Sequence, residues 1–170
     1  MNQRLRNVAF STLTLAAALA TSAASAATTG TTTTRSIASA TAVQLAQQTV
    51  AACSAEGYNV SASVVDRAGV LLAMVRADGA GPHTAEASRA KAFTSASSRN
   101  PTSGIAKAIQ SNPDAAGMAR IPGFLVLAGG VPVKIANDTV GALGVAGAPG
   151  GHLDEACAQK ALTAIKDQLQ

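Results

Sequence analysis

Apolar positions return every three to four residues along 37–56, "IASATAVQLAQQTVAACSAE", with no Gly or Pro to interrupt them. That period predicts an amphipathic helix whose apolar stripe carries Val43, Ala46, Val50 and Cys53, closed by Gly57 as its C-terminal cap. The pattern then switches to period two. In "YNVSASVVD" Val60, Ala62 and Val64 fall on one face and Ser61 and Ser63 on the other, "DRAG" is a turn, and "VLLAMVR" answers as a second strand.

"ADGAGP" breaks the chain, and "HTAEASRAKAFTSASS" predicts a second helix that stops near Asn100, where Pro101 restricts its predecessor. Residues 102–120 read as a shorter helix, irregular around Pro113 and Gly117. Three short apolar runs follow, "GFLVLAGG", "VPVKIAN" and "TVGALGVAG", with "AND" as a hairpin turn between the last two. The final helix is expected from about Leu153 to Leu169. The order α-β-β-α-α-β-β-β-α, joined mainly by hairpins, predicts an α+β domain: an antiparallel sheet of about five strands covered by helices.

The ends of the chain lie outside that pattern. Arg4 and Arg6 precede "VAFSTLTLAAALA", an apolar run too short to span a membrane, and "ASA" at residues 24–26 has the form of a cleavage site. Residues 1–26 are therefore expected to be a secretory signal peptide, and the protein to be exported, periplasmic or secreted. The threonine-rich segment 27–36 has little to bury and reads as a disordered spacer. Residues 37–170 make one domain, and no later run predicts a transmembrane helix.

Charge excludes one class. The chain has 13 basic and 9 acidic residues, and loss of Arg4 and Arg6 leaves 11 against 9. Aromatic residues are confined to Phe10, Tyr58, Phe93 and Phe124. With neither a basic stripe nor stacking rings, nucleic acid is not an expected partner. The two cysteines, Cys53 and Cys157, are a disulfide candidate in an exported chain, with two buried thiols as the alternative.

Three apparent sites weaken on inspection. "GALGVAG" lacks dinucleotide-loop spacing and is itself a strand pattern, in which glycines let another backbone approach. "GAPGGHLDEAC" leads a strand into a helix, but an anion there would meet Asp154 and Glu155, which already complement the helix dipole. His152, Asp154 and Cys157 lack the fourth ligand of a closed zinc site. The better candidate is "DGAGPHTAEASRAKAFTSA": a Gly-Pro loop brings His83 to a helix start, followed by Glu86, Arg89 and Lys91. Glu86 and Arg89, three apart, suit a surface ion pair. A neutral imidazole at His83 is a haem ligand or a proton acceptor.

Taken together, "VSASVVDRAGVLLAMVRADGA", "SRAKAFTSA" and "GFLVLAGGVPVKIANDTVGALGVAGAPGGHLDEACAQKAL" resemble the GlcG/HbpS-like family, the haem-degrading domain family related to the PduO C-terminal domain. The likeness covers nearly all of residues 37–168. It departs from the family pattern at Ala128, where proline is common, and at His152 and Leu153. The resemblance implies a profilin-like α/β/α fold, self-association into dimers or higher homo-oligomers, and haem as a ligand of some members. It implies a pocket lined or flanked by His83, Arg89 and Lys91, with backbone walls at Gly129, Gly130 and the segment Gly147–Gly151, including Gly150. Met74, Met118, Phe93 and Phe124 are candidates for its apolar walls or for core filling. For haem, His83 is the metal-ligand candidate, and Arg89 or Lys91 a propionate partner. The leading expectation is an exported protein that binds haem or a small organic acid. The alternatives are an enzyme on the same scaffold, using His83 as acid or base, and an oligomeric module without a small ligand.

Overall fold

The computed structural model describes residues 30–169, so the expected signal peptide and residues 27–29 of the expected spacer lie outside the described residues. The chain divides into two units, Met1–Thr33 and Thr34–Gln170. Of the first, the described residues 30–33 form no helix or strand.

The second unit contains α1 (Ser39–Ser54), β1 (Ser61–Asp66), β2 (Leu71–Arg76), α2 (His83–Ser98), α3 (Thr102–Ser111), β3 (Gly130–Ile135), β4 (Asp138–Ala146) and α4 (Gly151–Ala164). The strands form one antiparallel sheet in the order β2-β1-β4-β3. Helices α1 and α4 pack on one face and α2 on the other, giving the expected α+β layering.

The sheet has four strands among the described residues, not five. "GFLVLAGG" does not join it. Phe124 packs edge-on against Phe93, the Leu125 N–H donates to Thr94 Oγ1 (2.8 Å), and Gly129 turns at φ +119°. The run therefore takes its partners from α2 and enters the sheet only at Gly130. Beyond α3, Pro113–Arg120 is a 3₁₀ segment, as the irregular pattern suggested. The last helix starts two residues before the expected Leu153 and ends at Ala164, with a short 3₁₀ turn at Lys166–Gln168. In α1 the buried stripe is Ala42, Leu45, Ala46, Thr49 and Cys53; Val43 faces solvent.

The two faces of the sheet are chemically different. Val60, Ala62, Val64, Val133, Leu143 and Val145 pack with Leu45, Ala46, Ala158, Ala161 and Ile165 in the main apolar core. Cys53 and Cys157 meet within it as a disulfide that ties α1 to α4. Toward α2, small and polar groups replace large apolar ones. Ser61 and Thr84 share a hydroxyl hydrogen bond of 2.7 Å, as do Ser63 and Ser88, so these buried hydroxyls are satisfied.

Gly130 and Gly144 are cross-strand partners beneath α2. A Cβ at Gly144 would lie 2.0 Å from the Ser88 carbonyl oxygen, and one at Gly130 would lie 2.4 Å from that of Lys91. The missing side chains let the helix backbone rest directly on the strands. Proline before His83, and Arg99 in the left-handed conformation just ahead of Pro101, bound α2.

Candidate functional site

The starts of α2 and α4 come together at the end of the sheet where β4 finishes. Between them lies a cleft of about 510 Å³. His83 and Ala87 line it from α2, and Gly151, His152 and Asp154 from α4. Leu125, Leu127 and Ala128 supply a third wall, and Ala146–Gly150 complete it. Both imidazoles are exposed, and neither makes a hydrogen bond to another described residue.

The floor is a buried ion pair. Lys91 reaches from α2 to Asp154 on α4, with its Nζ donating to Asp154 Oδ2 at 2.8 Å and to the Val145 carbonyl oxygen at 2.9 Å. Asp154 Oδ1 accepts from the Ala148 N–H at 2.9 Å. Both side chains are about 95% hidden, so each charge depends on the other. Burial pushes the Asp154 carboxyl above its usual range; the hydrogen bond and charge of Lys91, the Ala148 amide and the charge of His152 pull less strongly in the opposite direction. Gly129 makes room for this pair, because a Cβ there would come within 2.8 Å of the Asp154 Cβ and 3.0 Å of Lys91 Nζ.

His83, Lys91, Gly147 and Gly150 thus share one cleft. Gly129 and Gly130 sit behind Lys91 and shape its surroundings without lining the cleft. Arg89 is not in the lining; its Nε donates to Glu86 Oε2 at 3.0 Å on the outer side of α2. The ammonium of Lys91 gives two of its three N–H donors to Asp154 and Val145.

None of the four apolar wall candidates lines this cleft. Phe93 and Phe124 pack edge-on against each other, Met74 lies exposed on the edge strand β2, and Met118 lines a separate cavity beside α3. The sequence reading did not anticipate Leu125 and Leu127 in the walls or Asp154 as the partner of Lys91. Both leucines lie in "GFLVLAGG", whose strand-like composition gave no sign of a cleft wall. His152 also borders a groove between α3 and α4, where Ser103 donates to Glu155 Oε1 at 2.9 Å and Glu155 Oε2 is buried without a partner.

Fold and cleft together define a small single-sheet α/β/α domain with its concave site at the end of the sheet, between two helix starts. A family model described as haem degrading protein HbpS-like matches residues 37–163, and the chain belongs to that family. Protein GlcG of Escherichia coli K12 is 35% identical over 113 residues, which are 62% of this chain and 83% of that relative. A double mutant of Streptomyces reticuli HbpS superimposes with a TM-score of 0.75 at 39% identity, covering 79% of this chain and 90% of the other. A PduOC:heme complex shares the fold, with a TM-score of 0.64 at 23% identity over 72% of this chain and 89% of that one.

Proposed function

We propose that this is an exported haem-binding protein and that the α2/α4 cleft is its haem site, with His83 as an axial ligand. The observation that carries the reading is an unbonded imidazole at the edge of a concave site with leucine, alanine and proline walls. Its volume of about 510 Å³ lies within the roughly 300–1,000 Å³ range of small-ligand sites. When bound, haem supplies an iron that accepts an axial imidazole.

The residues present fit that group, with one change from the sequence expectation. Lys91 is shared with Asp154 and the Val145 carbonyl, and the third N–H of its ammonium is left for the acidic edge of the ligand. A small organic acid would use the same donor. Further support comes from the family's description and from the haem complex of a protein with this fold. Export is supported by the leader pattern of residues 1–26 and by the Cys53–Cys157 bond, since disulfides persist in oxidising compartments.

Titration of the purified protein with ferric haem tests the reading. A Soret shift is expected in the wild type and a displaced or weakened one in His83→Ala; no shift in the wild type would sink it. The family's description also favours a second reading, in which bound haem is turned over. Loss of haem absorbance with added reductant, faster than in His83→Ala, checks that reading. Self-association belongs to the same proposal, and native mass spectrometry reads bound ligand and oligomer size together.

A further inference from the structure

We infer that His152 is a second axial ligand, opposite His83, so that the cleft holds ferric haem six-coordinate between the starts of α2 and α4. This rests on the haem reading above and adds a residue to it.

The chain has two histidines in 170 residues, and both line this cleft. They stand on different walls: His83 is the first residue of α2, and His152 the second of α4. Helices α2 and α4 cover opposite faces of the sheet, so the two histidines reach the cleft from different layers of the fold. Two-sided ligation of a flat macrocycle requires ligands on separate walls.

Both histidines are built into the chain in the same way. Each follows a glycine by two positions, in Gly81-Pro82-His83 and Gly150-Gly151-His152, and each ring folds back over that glycine. A Cβ at Gly81 would lie 2.8 Å from His83 Cε1, and one at Gly150 would lie 2.8 Å from His152 Cε1. The glycines therefore leave each imidazole space to turn, while the helix start holds its Cα in place. Between the walls, the Lys91–Asp154 pair joins α2 to α4 and limits how far they can separate.

No other group in the lining competes for the iron. The lining contains no Cys, Met or Tyr, and Lys91 and Asp154 are bound to each other. A second protein ligand in this cleft is therefore His152.

The test is ferric haem titration of the purified wild type, His152→Ala, His152→Gln and His83→Ala, followed by absorption and electron paramagnetic resonance. His152 is exposed, and an unchanged circular dichroism spectrum checks that its variants remain folded. The expected result is a low-spin six-coordinate wild type. Both His152 variants lose the low-spin signal, and added imidazole restores it in His152→Ala. Two results overturn the inference while leaving His83 ligation intact: a wild type that is high-spin and five-coordinate, or a low-spin spectrum unchanged by His152→Ala but lost in His83→Ala. Absence of any Soret shift in the wild type overturns the haem reading and this inference with it.

Discussion

The ammonium of Lys91 lies 2.8 Å from the Asp154 carboxylate, and this buried contact bridges helices 63 residues apart in the chain. Removing one partner strands the other charge in the interior. Lys91→Ala and Asp154→Ala are each expected to cost about 3–5 kcal/mol in equilibrium denaturation. The double replacement Lys91→Met with Asp154→Leu should cost far less than the two single losses together. A single-variant loss below about 1 kcal/mol, the value of an exposed pair, would show that the contact is not a structural tie.

Asp154 also gives stability a pH dependence of definite sign. Burial raises its carboxyl above the ordinary 3.8, so the folded protein holds this proton more readily than the unfolded chain. Its contribution to stability is fully present below 3.8 and is lost as pH rises through the folded value. Melting temperatures measured across that window should fall for the wild type relative to Asp154→Asn, in which the titration is absent. A difference with the opposite slope would mean that Lys91 outweighs burial.

The same pair shows how far the sequence could be read. Helix α2 was legible to within about two residues because prolines bound it, and the serine-valine alternation of β1 was legible because strand period is two. Lys91 and Asp154 each read as an ordinary charge on a helix surface. Nothing local signals a partner 63 positions away, so this pairing was not seen. "GFLVLAGG" has strand composition, but its partners on α2 outweigh its propensity. His83 was singled out from its Gly-Pro loop, and it lines the cleft. His152 lay in a segment read as architectural, and its place in the cleft depends on how the last helix meets the sheet.

Glycine should matter unequally across the fold. Gly144→Ala would drive a methyl group into the Ser88 carbonyl and the Ala92 N–H, forcing α2 away from the sheet. A loss of about 1–3 kcal/mol or more is expected. Gly104, within α3, has open space around its Cα, so Gly104→Ala should stabilise by about 0.5–1 kcal/mol through its better helix propensity. Thermal denaturation of the two variants checks the contrast, and equal effects would argue against the close approach of α2.

The disulfide closes a loop across 104 positions. For a loop of that size the chain-entropy model gives about 4–5 kcal/mol, and losses from removing native disulfides run about 2–5 kcal/mol. Reduction, or paired Cys53→Ala and Cys157→Ala replacement, should lower the denaturation midpoint accordingly. An unchanged midpoint on reduction would show that the apolar core alone holds α1 to α4.

That bond also changes what a cut in the backbone can do. From Cys53 to Cys157 the chain is a covalent ring containing every strand of the sheet, together with α2, α3 and both histidines. A protease that nicks the exposed 3₁₀ segment at Pro113–Arg120 would open the ring without releasing either piece. The clipped molecule would keep its mass apart from one added water, and would separate into fragments only after reduction.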